Sequence, residues 1–170
     1  MNALLVIDML NDFVMENAPL YVKDAKRIIP CIVEEIKKAE ENHYPVVYIC
    51  DAHLKDDEEF NIWPSHCIEG SFGAEVIKEL KPSQRDIVIK KTRYSGFFKT
   101  DLDKVLKKLG IDRLVVTGLL TNVCVLYTVA DAVSLGYKVV VPEKCVISLD
   151  ENSHKFGLEQ LKTVHHAEVK

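Results

Sequence analysis

Several features that assign other proteins to membranes, secretion or nucleic acids are absent from these 170 residues. No apolar run approaches the roughly 20 residues that a membrane-spanning helix requires. The first residues lack the basic segment of a signal peptide and start directly with a strand-like apolar run. The net charge of -4 offers little attraction to a nucleic-acid backbone. We therefore expect neither a membrane nor a nucleic acid as a partner.

Cysteine is also sparse, and its five copies are odd in number and lack tight spacing. This pattern argues against a disulfide framework and for a reducing compartment, so a cytoplasmic location is expected. Cys31, Cys50 and Cys145 lie in helix or strand patterns and are expected to pack in the core. Repeats, low-complexity tracts and linkers are absent as well, which predicts a single domain over residues 1–170.

The chain does contain a regular alternation of apolar runs and helix-period patterns. The apolar runs, each typical of a buried strand, cover residues 3–7, 46–50, 87–89, 114–117 and 137–141. The helical patterns that separate or follow them lie around residues 28–39, 74–80, 102–109, 123–135 and 156–164. This alternation predicts an α/β fold of three layers, α/β/α, around a mostly parallel, doubly wound central sheet.

Chemically reactive residues follow four of the predicted strands. One stands at or just beyond the carboxyl end of each: Asp8, Asp51, Lys91 and Cys124. Because ligands bind outside the carboxyl ends of parallel strands, we expect these residues on one rim. Cys124 falls near the first turn of a helix, where free N–H groups and the helix dipole favour a thiolate or an oxyanion. Lys91 would stabilise that thiolate, and Asp8 would act as general base and acid.

These residues also have a plain structural interpretation. An Asp at a strand end commonly caps a turn, and a buried Cys more commonly packs than reacts. The residue types alone therefore leave both interpretations open.

Three local strings strengthen the catalytic interpretation. In chain order they are LLVIDMLNDF at residues 4–13, KTRYSGFFKTDL at 91–102 and GLLTNVCV at 118–125. Together they resemble the opening, lysine and nucleophile motifs of the isochorismatase-like cysteine hydrolases, and the resemblance covers nearly the whole chain. It implies Asp8, Lys91 and Cys124 as the triad of a homo-oligomeric enzyme, a dimer or a tetramer.

The same resemblance implies a special backbone at the nucleophile. It places a non-proline cis peptide between Leu119 and Leu120, and an oxyanion hole at the N–H groups of Leu120 and Cys124. Two positions depart from the family's pattern, since Leu120 stands where a small residue is common and Asn122 where Asp is common. The larger Leu120 is expected to narrow the pocket.

The long irregular stretch at residues 52–72 points to a metal site beside the triad. Asp51 and His53 are two apart at a strand end, so their side chains point the same way, and His66 follows within the loop. Two imidazoles and one carboxylate suit a divalent metal, with Zn2+ first and Fe2+ or Mn2+ as alternatives. With the WPSHC string at 63–67, this set resembles the metal site of the nicotinamidases (pyrazinamidases).

Further positions bear on the choice within the superfamily. Phe13 and Trp63 match the aromatic pocket walls of the nicotinamidases, although Phe13 fits core packing equally well. Asp57, Glu58 and Glu59 offer a further metal ligand or simply a solvated acidic loop. The compact Lys-x-x-Tyr-Ser-x-Phe motif departs from many nicotinamidases and is common among other amidases and isochorismatase-type enzymes.

The resemblance thus implies a cysteine-dependent amidohydrolase for a small planar carboxamide. Nicotinamide, cleaved through a thioester acyl-enzyme to nicotinic acid and ammonia, is the first choice. Two alternatives stay open: a metal-independent relative acting on another amide, a ureido acid or a vinyl ether, and a non-catalytic binding protein of the same fold.

Overall fold

The computed structural model describes all of residues 1–170. Its seven strands are β1 (Asn2–Ile7), β2 (Val46–Asp51), β3 (Ile87–Lys91), β4 (Arg113–Leu119), β5 (Lys138–Val141), β6 (Val146–Ile147) and β7 (Glu168–Val169). Its five α-helices are α1 (Asn11–Val14), α2 (Ile29–Glu41), α3 (Leu102–Lys108), α4 (Leu126–Ser134) and α5 (Glu151–Thr163). Short 3₁₀ turns lie at Ala25–Ile28, Glu58–Asn61, Phe72–Ala74, Lys78–Leu80 and Glu143–Cys145, and a π-helical turn at Thr121–Val125.

One sheet contains all seven strands, in the order β3-β2-β1-β4-β5-β7, with β6 paired to the end of β4. Every pairing is parallel, as the alternating pattern predicted. Strands β1 to β4 end within about two residues of one another, because Ile7 pairs with Ile49 and Gly118, and Asp51 pairs with Lys91. The residues at these strand ends therefore share one edge of the sheet.

Apolar cores on both faces of the sheet explain why its strands are continuously hydrophobic. Leu5 and Ile7 of β1 pack in one buried cluster with residues of α3, α4 and α5. Leu4 and Val6, which point the other way, pack in a second cluster with α1 and α2. The predicted three-layer α/β/α class is confirmed. No helix combines the length and the hydrophobicity needed to cross a membrane.

The helix predicted around residues 74–80 is wrong, since this stretch holds only short 3₁₀ turns. The stretch does not form a helix with an apolar face. Instead, its backbone pairs with the chain that follows β1. Val76 forms an antiparallel bridge with Leu10, and the Ile77 N–H donates to the Met9 carbonyl at 3.0 Å. The stretch thus closes over the carboxyl end of β1, a contact that local spacing does not encode.

The expected absence of disulfides is also wrong, because Cys31 and Cys145 are bonded. Cys31 lies in the first turn of α2 and Cys145 in the turn before β6, and they are 114 residues apart with a Cα–Cα distance of 5.2 Å. Folding alone brings the pair together, so neither the odd count nor the spacing revealed it. Cys50, Cys67 and Cys124 are free and buried.

Candidate active site

The carboxyl edge of the sheet gathers four buried reactive side chains: Asp8 after β1, Asp51 at the end of β2, Lys91 at the end of β3, and Cys124 in the π-helical turn after β4. Lys91 is central, with its Nζ 2.8 Å from Oδ2 of Asp8 and 3.5 Å from Sγ of Cys124. The same ammonium donates a hydrogen bond to Oδ1 of Asp51. The structure therefore brings the predicted triad together with Asp51, and the catalytic roles stay a prediction.

Burial and neighbouring charges set the protonation of this cluster. Burial raises the pKa of Asp8 to about 6, with the charge of Asp51 adding to the effect and Lys91 opposing it. Burial disfavours the Lys91 ammonium, but the charges of Asp51 and Asp8 hold its pKa well above the ordinary value. Burial also raises the pKa of Cys124 well above the usual value, despite the opposing charge of Lys91. Burial therefore opposes the thiolate that the sequence predicted, Lys91 favours it, and the thiolate stays a prediction.

Backbone geometry positions the nucleophile turn. Gly118 has φ +108°, and a Cβ there would lie 2.0 Å from a carbonyl oxygen of β1, so only glycine fits. The peptide between Leu119 and Leu120 is cis, as the resemblance implied. The Leu120 carbonyl then accepts hydrogen bonds from the N–H groups of Val123 and Val125, at 3.0 and 3.1 Å. These bonds hold the turn that carries Cys124.

Three buried residues next to this cluster offer ligand atoms to a metal. The atoms of Asp51, His53 and His66 all lie within 4.8 Å of one another. Oδ2 of Asp51 is 3.6 Å from Nε2 of His53 and 3.7 Å from Nε2 of His66. Nε2 of His53 is buried without a hydrogen-bond partner, which is costly unless a ligand occupies that lone pair. The donor set therefore fits the divalent metal that the sequence predicted.

A cavity of about 300 Å³ is lined by the candidate nucleophile and by two residues of the metal-ligand set. Its wall includes Cys124 and Leu120 together with Asp51 and His66. The remaining lining residues are mostly apolar or aromatic: Phe13, Ala18, Pro19, Leu20, Tyr21, Val22, Glu59, Trp63, Tyr94, Val123 and Leu149. No lysine or arginine is among them, so the cavity presents a thiol, ligand atoms and aromatic rings without a cationic side chain.

The structure places both predicted aromatic residues in the cavity wall. Phe13 is buried, with its ring centroid 5.6 Å from that of His66. Trp63 donates its Nε1–H to the Tyr94 hydroxyl at 3.0 Å. Sequence reasoning missed Tyr94, although it lies in the lysine motif that was singled out. The wall residues at 18–22 and Leu149 carried no signal, because they lie in loops outside any motif.

Comparison with known proteins agrees with this arrangement. A family model described as the isochorismatase domain matches residues 2–169. The solved pyrazinamidase/nicotinamidase of Streptococcus mutans UA159 is 33% identical, with a TM-score of 0.94 and 100% of each chain covered. The pyrazinamidase of Pyrococcus horikoshii, solved in complex with zinc, is 30% identical with a TM-score of 0.93, covering 99% of this chain and 98% of that one. A curated probable inactive nicotinamidase of Arabidopsis thaliana is 35% identical over 145 residues, covering 79% of this chain and 74% of its own.

Proposed function

The chain belongs to the isochorismatase family of hydrolases, and from that premise we propose a cysteine-dependent amidohydrolase acting on a small planar carboxamide. The preferred substrate is nicotinamide, cleaved to nicotinic acid and ammonia. One observation carries this proposal: a single cavity is lined both by Cys124 and by the metal-ligand residues Asp51 and His66. A substrate held at the metal side would present its carboxamide to the thiol.

The side chains that line the cavity favour a neutral substrate over a ureido acid. A carboxylate that loses its hydration in an apolar cavity needs a cationic partner. Lys91 does not line the cavity and is paired with Asp8 and Asp51. Arg93, the nearby guanidinium, pairs instead with Asp57 at 2.9 Å. An acidic substrate would therefore meet no unpaired cationic side chain here, and the proposed metal alone would serve as its counter-ion.

The shape of the cavity favours one flat ring. Its volume of about 300 Å³ stands at the lower end of the range of roughly 300–1,000 Å³ for small-molecule sites. Phe13 and Trp63 contribute aromatic surface, which packs well against a planar heteroaromatic substrate. Leu120 also lines the cavity, and we expect its size to reduce the space for substrate.

In the acylation half of the proposed reaction, Asp8 accepts the proton of the Cys124 thiol while Sγ attacks the amide carbonyl carbon. A base with a pKa of about 6 is suited to this transfer near neutral pH. The tetrahedral oxyanion accepts hydrogen bonds from the N–H groups of Leu120 and Cys124, a stabilisation of about 3–4 kcal/mol per donor in comparable sites. Asp8 then returns the proton to the departing nitrogen, the C–N bond breaks, and ammonia and a thioester result.

In the deacylation half, Asp8 takes a proton from a water that adds to the thioester carbonyl. The C–S bond breaks, the proton passes from Asp8 to Sγ, and the carboxylic acid is released. Lys91 holds Asp8 in place at 2.8 Å and balances the negative charge throughout. Asp51, His53 and His66 would hold the metal, Zn2+ first and Fe2+ or Mn2+ as alternatives, which supplies a Lewis-acidic position for orienting the substrate.

Ammonia release from nicotinamide by purified protein, with the metal content of the same sample, tests this proposal. We expect turnover that Cys124→Ala abolishes and that a chelator removes until Zn2+ is restored. Cys50→Ala, which deletes another buried free thiol, is the matched control and should retain turnover. Hydrolysis by Cys124→Ala would contradict the mechanism. Wild-type protein that binds nicotinamide without cleaving it would instead favour the non-catalytic binding protein.

We also propose a cytoplasmic homo-oligomer, a dimer or tetramer, with the small amide as its ligand. The family resemblance supports the assembly. The free thiols of Cys50 and Cys67 accord with a reducing compartment, whereas the Cys31–Cys145 disulfide counts against one. Light scattering on the purified chain measures the assembly directly, and a monomeric mass would contradict it.

A further inference from the structure

Each histidine of the candidate metal site has a hydrogen-bond acceptor at Nδ1, the ring nitrogen that is not the one nearest Asp51. His66 donates Nδ1–H to the Pro64 carbonyl at 2.7 Å, and His53 donates Nδ1–H to Oδ2 of Asp57 at 3.0 Å. A carbonyl or a carboxylate can only accept, so both rings carry their proton on Nδ1. Both Nε2 atoms then face Oδ2 of Asp51, at 3.6 and 3.7 Å, and are the ring atoms left to bind a metal once they carry no proton. The two rings are thus in the tautomer that binds a metal.

Asp57 is itself held in place by several contacts. Its Oδ1 accepts the Glu59 N–H at 2.9 Å, which caps the 3₁₀ turn Glu58–Asn61. The Arg93 guanidinium lies 2.9 Å from Oδ1 and 3.2 Å from Oδ2. The carboxylate side chain is only 9% exposed, while the His53 ring is fully buried. Asp57 therefore offers His53 a charged acceptor in a fixed position. The Nδ1 partner of His53 is a side chain, whereas that of His66 is a backbone carbonyl.

We propose that Asp57 is a positioning residue that sets the tautomer and orientation of His53 and thereby the affinity of the site for a divalent metal. The inference rests on the metal-dependent function proposed above. Partners of this kind, behind a metal-binding histidine, typically change metal affinity by roughly 10–100-fold when they are removed. Arg93 supports the same contact by holding Asp57.

Two substitutions separate the effect on His53 from the effect on the loop. Asp57→Asn keeps a side-chain oxygen that can cap the 3₁₀ turn, because Asn is a good N-cap residue. It removes the negative charge that strengthens the hydrogen bonds from His53 and Arg93. Asp57→Ala removes every contact. Asp56→Asn is the matched control, since it makes the same charge change at an exposed neighbour without a hydrogen bond or ion pair.

The measurement is the Zn2+ dissociation constant of the purified metal-free chain, by competition with a chromophoric chelator. We expect weakening of roughly tenfold for Asp57→Asn and up to roughly 100-fold for Asp57→Ala, with Asp56→Asn unchanged. The absorption spectrum of Co2+-loaded protein should change for the two Asp57 variants only. A purely structural role of Asp57 would lower thermal stability without this spectral change.

Several results would overturn the inference. Asp57→Ala protein that binds Zn2+ as tightly as wild type shows that His53 needs no partner. Wild-type protein without affinity for any divalent metal removes the site, and failure of both Asp57 variants to fold makes the residue structural. The proposed function fails separately, if wild-type protein binds Zn2+ but does not hydrolyse nicotinamide. In that case the Zn2+ dissociation constants of the Asp57 variants still decide the role of Asp57.

Discussion

Replacing Lys91 with methionine should destabilise the chain far more than the same change at Lys90, its neighbour on β3. The Lys91 side chain is fully buried and pairs with Asp8 and Asp51. The Lys90 side chain is 62% exposed and pairs on the surface with Glu69. Side chains alternate along a strand, so the two lysines point to opposite surroundings. The comparison changes the same residue type in the same strand and varies only the environment of its charge.

The magnitude follows from the charges that stay behind. In the metal-free protein Lys91→Met leaves two buried carboxylates facing each other without their counter-ion. Removing one partner of a buried ion pair costs about 3–5 kcal/mol, whereas an exposed pair contributes about 0–1 kcal/mol. Proton uptake by Asp8, whose pKa is already about 6, limits the loss. We therefore expect the free energy of unfolding to fall by about 3 kcal/mol or more for Lys91→Met, and by less than about 1 kcal/mol for Lys90→Met.

Urea unfolding of metal-free proteins at neutral pH measures both losses. The double variant Asp8→Asn/Lys91→Met should recover part of the stability that Lys91→Met loses, because it removes one of the two carboxylates. Equal losses for the two lysine variants would refute the argument that a buried ion pair explains the difference. A double variant no more stable than Lys91→Met would show that packing, and not charge, accounts for the loss.

Three further predictions concern the backbone, the disulfide and the pocket wall. Gly118→Ala should lower the free energy of unfolding by about 3 kcal/mol or more, since its Cβ would lie 2.0 Å from a carbonyl oxygen of β1 at φ +108°. Gly110→Ala, with φ +67° and no atom within 4 Å, should lose less in the same urea titration, and equal losses would contradict the steric explanation. Reduction of the Cys31–Cys145 bond should lower stability by roughly 2–4 kcal/mol in denaturation with and without a dithiol, and a Cys31→Ser/Cys145→Ser variant should not respond to the dithiol. Trp63→Ala should raise KM for nicotinamide roughly tenfold through lost aromatic contact, and an unchanged KM would remove Trp63 from the pocket assignment.

The sequence alone was sufficient for the layers and for the location of the reactive residues. A strand that is covered on both faces must be apolar at every position, so β1, β2 and β4 were recognisable as uninterrupted runs. Parallel strands present their carboxyl ends at one edge, which places Asp8, Lys91 and Cys124 together before any contact is known. The His53 and His66 pair followed from local spacing and a short motif.

Local pattern failed where distant segments meet. The stretch at 74–80 has apolar residues at helical intervals, yet it pairs with the chain after β1 and forms only 3₁₀ turns. Cys31 and Cys145 are 114 residues apart, and no pattern along the chain marks them as partners. The pocket wall contributed by residues 18–22 and Leu149 likewise comes from loops whose positions depend on the packed core.

The sequence by itself determined which chemical groups are present and on which edge of the sheet they lie. Only the tertiary structure decided how those groups share charge. Lys91 was expected to favour a thiolate at Cys124, but burial raises the pKa of that thiol, and Lys91 also pairs with Asp8 and Asp51. The physical reason is that a strand-end position follows from local periodicity, whereas a pKa and the orientation of a side chain depend on burial and on contacts such as that between Asp57 and His53.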